Sequence, residues 1–244
     1  MKKKTISALA TLATAAIIAI GSMITNQGGA NIPEGSSVDS ALSGNIKSNY
    51  TKPAASKEET HIETLLKVTF PSELIKSEQE GIVPFGYINA LVTKVTDGDT
   101  FHIKYKDNEY KVRMLDIDTP ESVKSGVEPQ PFSEEASALS KEMLTDQKVK
   151  LIFEKDTTDQ FDRLLAHVIL DDETYYNGFM ILNGYAISVF YSPNTLLKAY
   201  FNDLQDTAIT EERGFWQLPE SDRPFIKDSK GKYVAAYKSK GKAA

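Results

Sequence analysis

The chain has 244 residues, a formal net charge of −6, no cysteine and three histidines. The lack of cysteine excludes disulfides, thiolate metal sites and cysteine nucleophiles. The scattered histidines (His61, His102 and His167) argue against a histidine-rich zinc site. Any catalytic metal is therefore expected to be a hard cation bound through oxygen atoms.

Residues 1–30 have the pattern of an export signal. Three lysines at positions 2–4 form a positive start, residues 5–25 carry no charge, and small residues at 28–30 suit cleavage. The uncharged run is also close to the ~20 residues that a membrane span requires, so an uncleaved N-terminal membrane anchor is the alternative. In either case the rest of the chain is expected to be extracellular.

Removal of this segment would make the remaining chain more acidic. The segment contains three lysines and no acidic residue, so 25 basic residues would face 34 acidic ones, a net charge of −9. Such a charge disfavours general attraction to a phosphate backbone. A nucleic-acid-binding function would therefore need a local site of positive charge.

The chain changes from polar to alternating apolar patterns near residue 86. Residues 31–80 are interpreted as a linker followed by an extra N-terminal segment, because the first thirty of them are rich in Ser, Asn, Gly, Pro and Lys. Alternation and turn residues then predict strands at residues 87–95, 100–106, 109–117, 148–154 and 164–170.

Three helices are predicted between and after those strands. The first begins at about Ser133, its expected N-cap, the second covers residues 176–183, and the third is capped by Asn194 or Thr195. Together these elements predict an α+β fold, a five-stranded Greek-key barrel of the OB type, over residues 86–218. Residues 221–244 carry seven basic groups against two acidic ones, which predicts a mobile basic C-terminal tail.

Three polar clusters lie in or beside the predicted strands. They are Asp97-Gly98-Asp99-Thr100, Arg113 with Asp118-Thr119-Pro120-Glu121, and the run from Asp159 to Arg163. Each cluster alone is adequately explained as a turn or a solvated loop. That explanation is weakest for the second cluster, because Arg113 and Asp116 interrupt an apolar strand and need partners if they are buried.

Taken together, the clusters predict metal-assisted cleavage of a phosphodiester. Asp99 and Asp118 can hold a hard divalent ion with help from the Thr119 carbonyl and water. The ion would neutralise a phosphate oxygen and make the phosphorus more electrophilic.

One glutamate and two arginines complete the predicted site. Glu121 is placed to orient or deprotonate the attacking water. Arg113 and Arg163 can each give paired hydrogen bonds to a phosphate in its transition state. Strict strand alternation would put Arg113 and Asp118 on opposite faces, so a shared site requires the strand to bulge, coil or end between them.

The phrases VTDGDTF, VRMLDIDTPES and DQFDRLLAHV resemble, in this order, the active-site segments of the staphylococcal nuclease (thermonuclease) family. The similarity runs over about residues 90–216. It implies an OB-fold barrel, Ca²⁺ bound by Asp99, Asp118 and Thr119, and cleavage of DNA and RNA at the 5′-O–P bond to leave 3′-phosphates. It also implies that the glutamate is the general base and that the two arginines are phosphate ligands.

The chain departs from the family pattern near the second arginine. Gln160-Phe161-Asp162 stands where the family often has Lys-Tyr-Gly, and Val189 stands where it can have a tyrosine, whereas Tyr191 is retained. Ser192-Pro193 falls where the family can have a cis peptide. These changes leave the predicted chemistry intact and concern nucleotide affinity and base preference.

The alternative function is a non-catalytic OB module that binds nucleic acid or another partner on its surface. Such modules generally lack one or more of the active-site carboxylates or arginines, whereas all six positions are filled here. The expected partners are DNA and RNA substrates, preferably single-stranded or denatured, and a monomer is the default. Few phosphate contacts predict weak, calcium-dependent binding with a shallow salt dependence.

Overall fold

The computed structural model describes residues 65–122, 126 and 128–240 of the chain. The predicted export signal, most of the linker and the last four residues lie outside these ranges. Within them, no helix is both long enough and apolar enough to span a bilayer.

The described part of the chain contains ten strands and four α-helices. The strands are β1 (Gln79–Glu80), β2 (Gly86–Val95), β3 (Thr100–Tyr105), β4 (Asn108–Met114), β5 (Ile117–Asp118), β6 (Lys148–Ile152), β7 (Leu164–Leu170), β8 (Ile187–Ser188), β9 (Phe225–Lys227) and β10 (Tyr233–Ala235). The α-helices are α1 (Ser133–Leu144), α2 (Tyr176–Leu182), α3 (Lys198–Thr210) and α4 (Ala236–Lys240).

Five of the strands close into a barrel. The pairs β2–β3, β3–β4 and β6–β7 are antiparallel, whereas β4 and β7 run parallel. Antiparallel pairing of β2 with β6 closes the cylinder, which removes the unpaired edges that an open sheet would leave. The predicted α+β fold, a five-stranded OB-type barrel with about three helices, is thereby confirmed.

Alternation of apolar residues determines which side of each strand faces the interior. On β2, Ile88, Ala90 and Val92 are buried while the residues between them are exposed. Phe101 and Ile103 are buried in the same way on β3. Because successive side chains of a strand point to opposite faces, a period of two places one side in the core.

The three predicted helices are present as α1, α2 and α3, but the predicted N-caps of α1 and α3 are wrong. Ser133 lies inside α1, and its hydroxyl has no hydrogen-bond partner among the described residues; Phe132, with a φ of 64°, holds the N-cap position. α3 begins only at Lys198. The Asn194 side chain instead accepts from the Asp156 N–H (2.9 Å) and donates to the Asp156 carbonyl (2.8 Å). A tertiary contact thus takes the side chain that the local pattern assigns to a cap.

The residues just before the barrel pack against it. The Val68 carbonyl accepts a hydrogen bond from the Tyr175 N–H (2.7 Å), and Val68 and Ile75 are both buried. The Asn183 side chain bonds both the N–H and the carbonyl of Leu66, at 2.9 and 3.0 Å. The described end of the predicted extra segment therefore contributes to the core.

The C-terminal residues do not form the free basic tail that their charge predicts. β9 and β10 pair as an antiparallel hairpin over residues 225–235, called the C-terminal hairpin below. Phe225 is 1% exposed and its ring centroid lies 5.6 Å from that of Phe215, while Tyr233 lies edge-on to Trp216 at 5.0 Å. The prediction is wrong because a count of charges overlooks a few aromatic side chains, each of which buries a large apolar area.

Candidate active site

The turn between β2 and β3 carries two carboxylates. The Asp99 N–H donates to Asp97 Oδ1 (3.2 Å), and the Thr100 hydroxyl donates to Asp99 Oδ1 (2.9 Å). Gly98 lies directly against Thr119, and a Cβ at residue 98 would stand only 2.8 Å from atoms of that side chain. The missing side chain therefore lets the turn approach the segment that follows β5.

The chain leaves strand geometry between Arg113 and Asp118, as a shared site requires. β4 ends one residue after Arg113, Asp116 adopts a left-handed conformation (φ 62°), and β5 begins one residue before Asp118. An Arg113 guanidinium nitrogen then lies 3.1 Å from Asp118 Oδ1 and 3.2 Å from Asp99 Oδ2. The predicted interruption of the strand is confirmed.

Asp99 is bound through both carboxylate oxygens. Besides the Thr100 hydroxyl on Oδ1, the backbone N–H and the hydroxyl of Thr119 donate to Oδ2, at 3.1 and 3.2 Å. Asp99 is only 6% exposed. Its contacts hold together the β2–β3 turn, the end of β4 and the residue that follows β5.

Arg163 is oriented by Asp159, four residues earlier. Arg163 Nε lies 2.7 Å and a terminal guanidinium nitrogen 2.6 Å from Asp159 Oδ2. Asp159 Oδ1 accepts from the backbone N–H groups of Phe161 (2.9 Å) and Arg163 (3.0 Å), which folds the intervening turn. Burial alone would raise the pKa of Asp159, but these hydrogen bonds outweigh it and hold the pKa below its ordinary value.

One pocket of about 140 Å³ brings the predicted site residues together. Its lining comprises Asp97, Asp99, Thr100, Arg113, Asp118, Thr119, Pro120, Glu121, Ser122 and Arg163. All six residues singled out from the sequence belong to this set. Glu121 is half-buried, and its backbone N–H is anchored by Gln130 Oε1 at 2.9 Å.

Four carboxylates and two arginines line the pocket, so negative charge predominates. Burial and the charge of Asp99 raise the pKa of Asp97 to about 6. Burial also raises the pKa of Asp118 to about 6, although the charge of Arg113 opposes the rise. Burial would lower the pKa of Arg113, but the neighbouring carboxylates, led by Asp99, raise it overall. A bound cation would favour the ionised carboxylates and so oppose the raised pKa values of Asp97 and Asp118.

Sequence motifs alone assign no function to two acidic residues beside the site. Asp97 lines the pocket, and Asp159 holds Arg163 in place. Both lie inside the motifs that identify the site. Asp97 lies two residues before Asp99 in the sequence and Asp159 four residues before Arg163, and this spacing could have indicated their roles.

A third neighbour, Lys238 in α4, comes from outside those motifs. Its positive charge lowers the pKa of Asp118, although Lys238 is not among the residues that line the pocket. Gln130 links the C-terminal residues to the active-site loop, because it donates to the Pro224 carbonyl (2.6 Å) and accepts from the Glu121 N–H. This proximity depends on the packing of the C-terminal hairpin, which no local sequence pattern indicates.

A larger cavity of about 360 Å³ shares Arg113 and Arg163 with the pocket. Its lining includes Phe161 and Tyr191, which are 68% and 72% exposed. It also includes the Ser192-Pro193 peptide, which is cis, in agreement with the family resemblance. A cavity that combines guanidinium groups with exposed aromatic rings has the components to hold a phosphate with an attached base.

Comparison with known proteins agrees with this geometry. Residues 111–218 match the family described as "Staphylococcal nuclease homologue". The chain is 35% identical over 127 residues to the thermonuclease of Staphylococcus intermedius, covering 52% of this chain and 75% of that protein. It is 32% identical over 152 residues to the thermonuclease of Staphylococcus hyicus, covering 62% and 89%. Endonuclease YncB of Bacillus subtilis is 29% identical over 154 residues, covering 61% and 73%. The chain therefore belongs to the staphylococcal nuclease family.

Proposed function

We propose that this chain is an exported nuclease that uses Ca²⁺ to hydrolyse the phosphodiester bonds of DNA and RNA. The observation that carries the proposal is the pocket of about 140 Å³, which collects two arginines, a glutamate and three candidate metal ligands. Relatives at 32–35% identity are named thermonucleases. Hydrolysis at the 5′-O–P bond with 3′-phosphate products is the reaction that the family resemblance implies.

The donor atoms of Asp99, Asp118 and Thr119 fit a hard divalent cation. They are all oxygens. Burial and the charge of Asp99 raise the pKa of Asp118 to about 6 despite the neighbouring Arg113. A cation would compensate this crowding of negative charge. Ca²⁺ prefers carboxylate and carbonyl oxygens, and a site of this charge and openness implies an affinity on the order of 10⁻⁴–10⁻³ M. When bound, it would supply charge neutralisation at a phosphate oxygen.

Arg113 and Arg163 provide the positive charge of the pocket. Carboxylates hold both guanidinium groups, Arg113 through Asp99 and Asp118 and Arg163 through Asp159. Each guanidinium presents a rigid fork of N–H donors that matches two oxygens of one phosphate. Because the forks are already oriented, they can bind the equatorial oxygens of a five-coordinate transition state, where negative charge accumulates.

Glu121 is the candidate general base. It lines the pocket with both arginines and keeps part of its surface exposed, so water has access to it. The anchoring of its backbone by Gln130 limits the positions that the carboxylate can take. A carboxylate that orients or deprotonates the attacking water accelerates such reactions on the order of 10²–10⁴-fold.

The larger cavity would hold the sugar and base attached to the phosphate. Phe161 and Tyr191 expose their rings at its rim, and a base can stack on such a ring only when it is not paired in a duplex. We therefore expect single-stranded or denatured nucleic acid to be the preferred substrate. Stacking is tolerant of sequence, so little base specificity is expected.

Export rests on the signal-like pattern of residues 1–30, with an uncleaved anchor at the outer face as the alternative. A monomer is expected. After loss of the signal, the chain would carry a net charge of −9, so attraction to nucleic acid would come from Arg113, Arg163 and a bound Ca²⁺ rather than from the whole surface. Neutralising about one or two phosphates predicts a shallow dependence of affinity on salt.

The test is hydrolysis of heat-denatured DNA by the purified chain in millimolar Ca²⁺ or in EGTA. Glu121→Ala and Arg163→Ala remove the proposed base and one phosphate ligand. Glu142→Ala and Arg213→Ala remove side chains of the same types away from the pocket and serve as controls. We expect calcium-dependent cleavage that falls roughly 10²-fold or more in the first pair and stays within about twofold in the second.

Two outcomes would contradict the proposal. Cleavage that persists in EGTA at the calcium rate would refute the metal requirement. A folded wild-type chain that does not cleave at millimolar Ca²⁺ would mean that the barrel serves as a non-catalytic binding module.

A further inference from the structure

A second group of side chains that could bind a metal includes Asp116, which lies in the turn between β4 and β5. Asp116, Glu154 and His167 place one ligand atom each within 4.8 Å of one another, and all three residues are buried. In the part of the chain that the structure describes, this is the one group of three or more such residues with so short a spacing. None of the three lines the pocket of about 140 Å³, so the group is distinct from the candidate active site.

Asp116 supplies an independent sign that a ligand is missing from this group. The residue is 4% exposed, and its Oδ2 has no hydrogen-bond partner among the described residues. A buried polar atom normally has a partner, and an uncompensated carboxylate beside a second one is strongly unfavourable in a low-dielectric interior. A cation at this point would compensate both carboxylates.

The other two ligands are already held for coordination. His167 Nε2 lies 3.2 Å from Glu154 Oε1, and the Tyr175 hydroxyl lies 2.8 Å from His167 Nδ1. The second Glu154 oxygen accepts from the Leu196 N–H at 3.3 Å. If Nε2 coordinated a metal, the ring proton would sit on Nδ1 and donate to the Tyr175 oxygen, which is the orienting contact that ligating histidines usually make.

We propose that Asp116, Glu154 and His167 form a structural binding site for a divalent transition metal of the zinc type. One imidazole nitrogen with two carboxylate oxygens suits Zn²⁺ better than the oxygen-only preference of Ca²⁺. The double positive charge of the ion balances the negative charges of the two carboxylates. The site departs from the expectation, drawn from the sequence, that any metal here is bound through oxygen alone.

The spacing and the access are compatible with such an ion. Ligand atoms about 2.0–2.2 Å from a tetrahedral Zn²⁺ stand roughly 3.4 Å apart, so small side-chain rotations would close the present separations. Asp116 also lines the cavity of about 360 Å³, which provides an entry path and a source of water for the remaining coordination position.

The position of the site suggests what the ion would stabilise. Glu154 follows β6, His167 lies within β7, and Asp116 occupies the left-handed turn between β4 and β5. The Asp116 carbonyl also accepts from the Val189 N–H at 3.0 Å. An ion would therefore tie the barrel wall to the turn two residues before Asp118, and so hold the active-site segment in place.

The test uses the full chain with Asp99→Asn and Asp118→Asn, so that zinc uptake does not report on the active-site pocket. After chelator treatment, titration calorimetry with ZnCl₂ gives the stoichiometry and thermal unfolding gives the stabilisation. We expect one zinc per chain and a Tm increase of about 5–10 °C at free zinc 100 times the Kd. Adding Glu154→Gln or His167→Gln should abolish both effects, whereas His102→Gln, a strand histidine outside the group, should retain them.

Two results would overturn the inference. One is a folded chain, by near-ultraviolet circular dichroism, that takes up no zinc; the other is zinc binding that survives both Glu154→Gln and His167→Gln. The unsubstituted chain titrated with zinc in saturating Ca²⁺ gives the stoichiometry without any substitution, so a variant that fails to fold still leaves a decisive measurement.

Discussion

Replacing Asp159 by asparagine tests how much the orientation of Arg163, as distinct from its presence, contributes to kcat/KM. In the structure one oxygen of Asp159 binds the guanidinium, and the other binds the backbone N–H groups of Phe161 and Arg163. Asparagine keeps one acceptor oxygen and places an NH₂ donor where the other stood. One of the two sets of hydrogen bonds must therefore break, and the negative charge that holds the guanidinium is lost in either case.

The size of the effect follows from those contacts. A hydrogen bond to a charged group contributes about 1.5–3 kcal/mol, and the low end applies here because the Arg163 and Asp159 side chains are 26% and 17% exposed. If about 1.5 kcal/mol of orientation is lost in the transition state, kcat/KM falls roughly tenfold. That loss is smaller than the roughly 10²–10³-fold expected when the arginine itself is removed.

A double-mutant cycle measured on denatured DNA in saturating Ca²⁺ tests this reasoning. In an Arg163→Ala background the Asp159→Asn change should alter kcat/KM by less than about twofold, because there is no longer a guanidinium to orient. Asp172→Asn removes an exposed partner of Lys67 and should leave the rate unchanged. An equal tenfold loss in both backgrounds would refute a positioning role for Asp159.

Three further predictions follow from particular contacts. Gly98→Ala places a methyl group 2.8 Å from the Thr119 side chain, so kcat/KM on denatured DNA should fall roughly 10–10²-fold; a wild-type rate would show that the turn can move without consequence. Phe225→Ala should lower the free energy of urea unfolding by about 3–5 kcal/mol, and a loss below about 1 kcal/mol would mean that the C-terminal hairpin is not part of the cooperative fold. Because burial raises the folded-state pKa values of Asp97 and Asp118 to about 6 from 3.8, both groups bind protons more tightly when folded. In EGTA, the wild-type Tm should therefore fall relative to that of Asp97→Asn/Asp118→Asn as the pH rises from about 4 to 7; a constant difference would contradict the raised pKa values.

Local patterns predict the barrel well because each strand must bury one side. The predicted strand at residues 164–170 is found unchanged as β7. The third predicted strand instead stops at Met114, because Asp116 turns the backbone into the left-handed region. Asn194 fails as a helix cap because its amide binds the distant Asp156 backbone. The strand therefore ends early at a local backbone turn, whereas the helix cap is lost to a tertiary contact that overrides a local preference.

The residues of the candidate site are predictable from short motifs, but the residues that support them are not. Arg113, Glu121 and Arg163 stand in recognisable phrases and meet in one pocket. Lys238, whose charge lowers the pKa of Asp118, lies in α4 directly after the C-terminal hairpin, so its influence depends on the packing of that hairpin. The sequence of residues 221–244 does not indicate that packing, because its basic residues outnumber its aromatic ones.

The buried metal-ligating group shows the same limit. The sequence indicates that Asp116 needs a partner if buried and that His167 lies in a strand. Their closeness to Glu154 depends on the pairing of β6 with β7, in which Ile152 stands opposite His167, and on the turn after β4. The ion identity, the roles of the site residues and the export signal remain predictions for experiment.

The decisive measurement for a calcium-dependent nuclease is the rate of hydrolysis of denatured DNA as a function of free Ca²⁺. We expect no cleavage in EGTA, and a rate that rises with calcium to half of its maximum on the order of 10⁻⁴–10⁻³ M. A folded chain whose cleavage is independent of calcium, or one that is inactive at every calcium concentration, would contradict the proposed function.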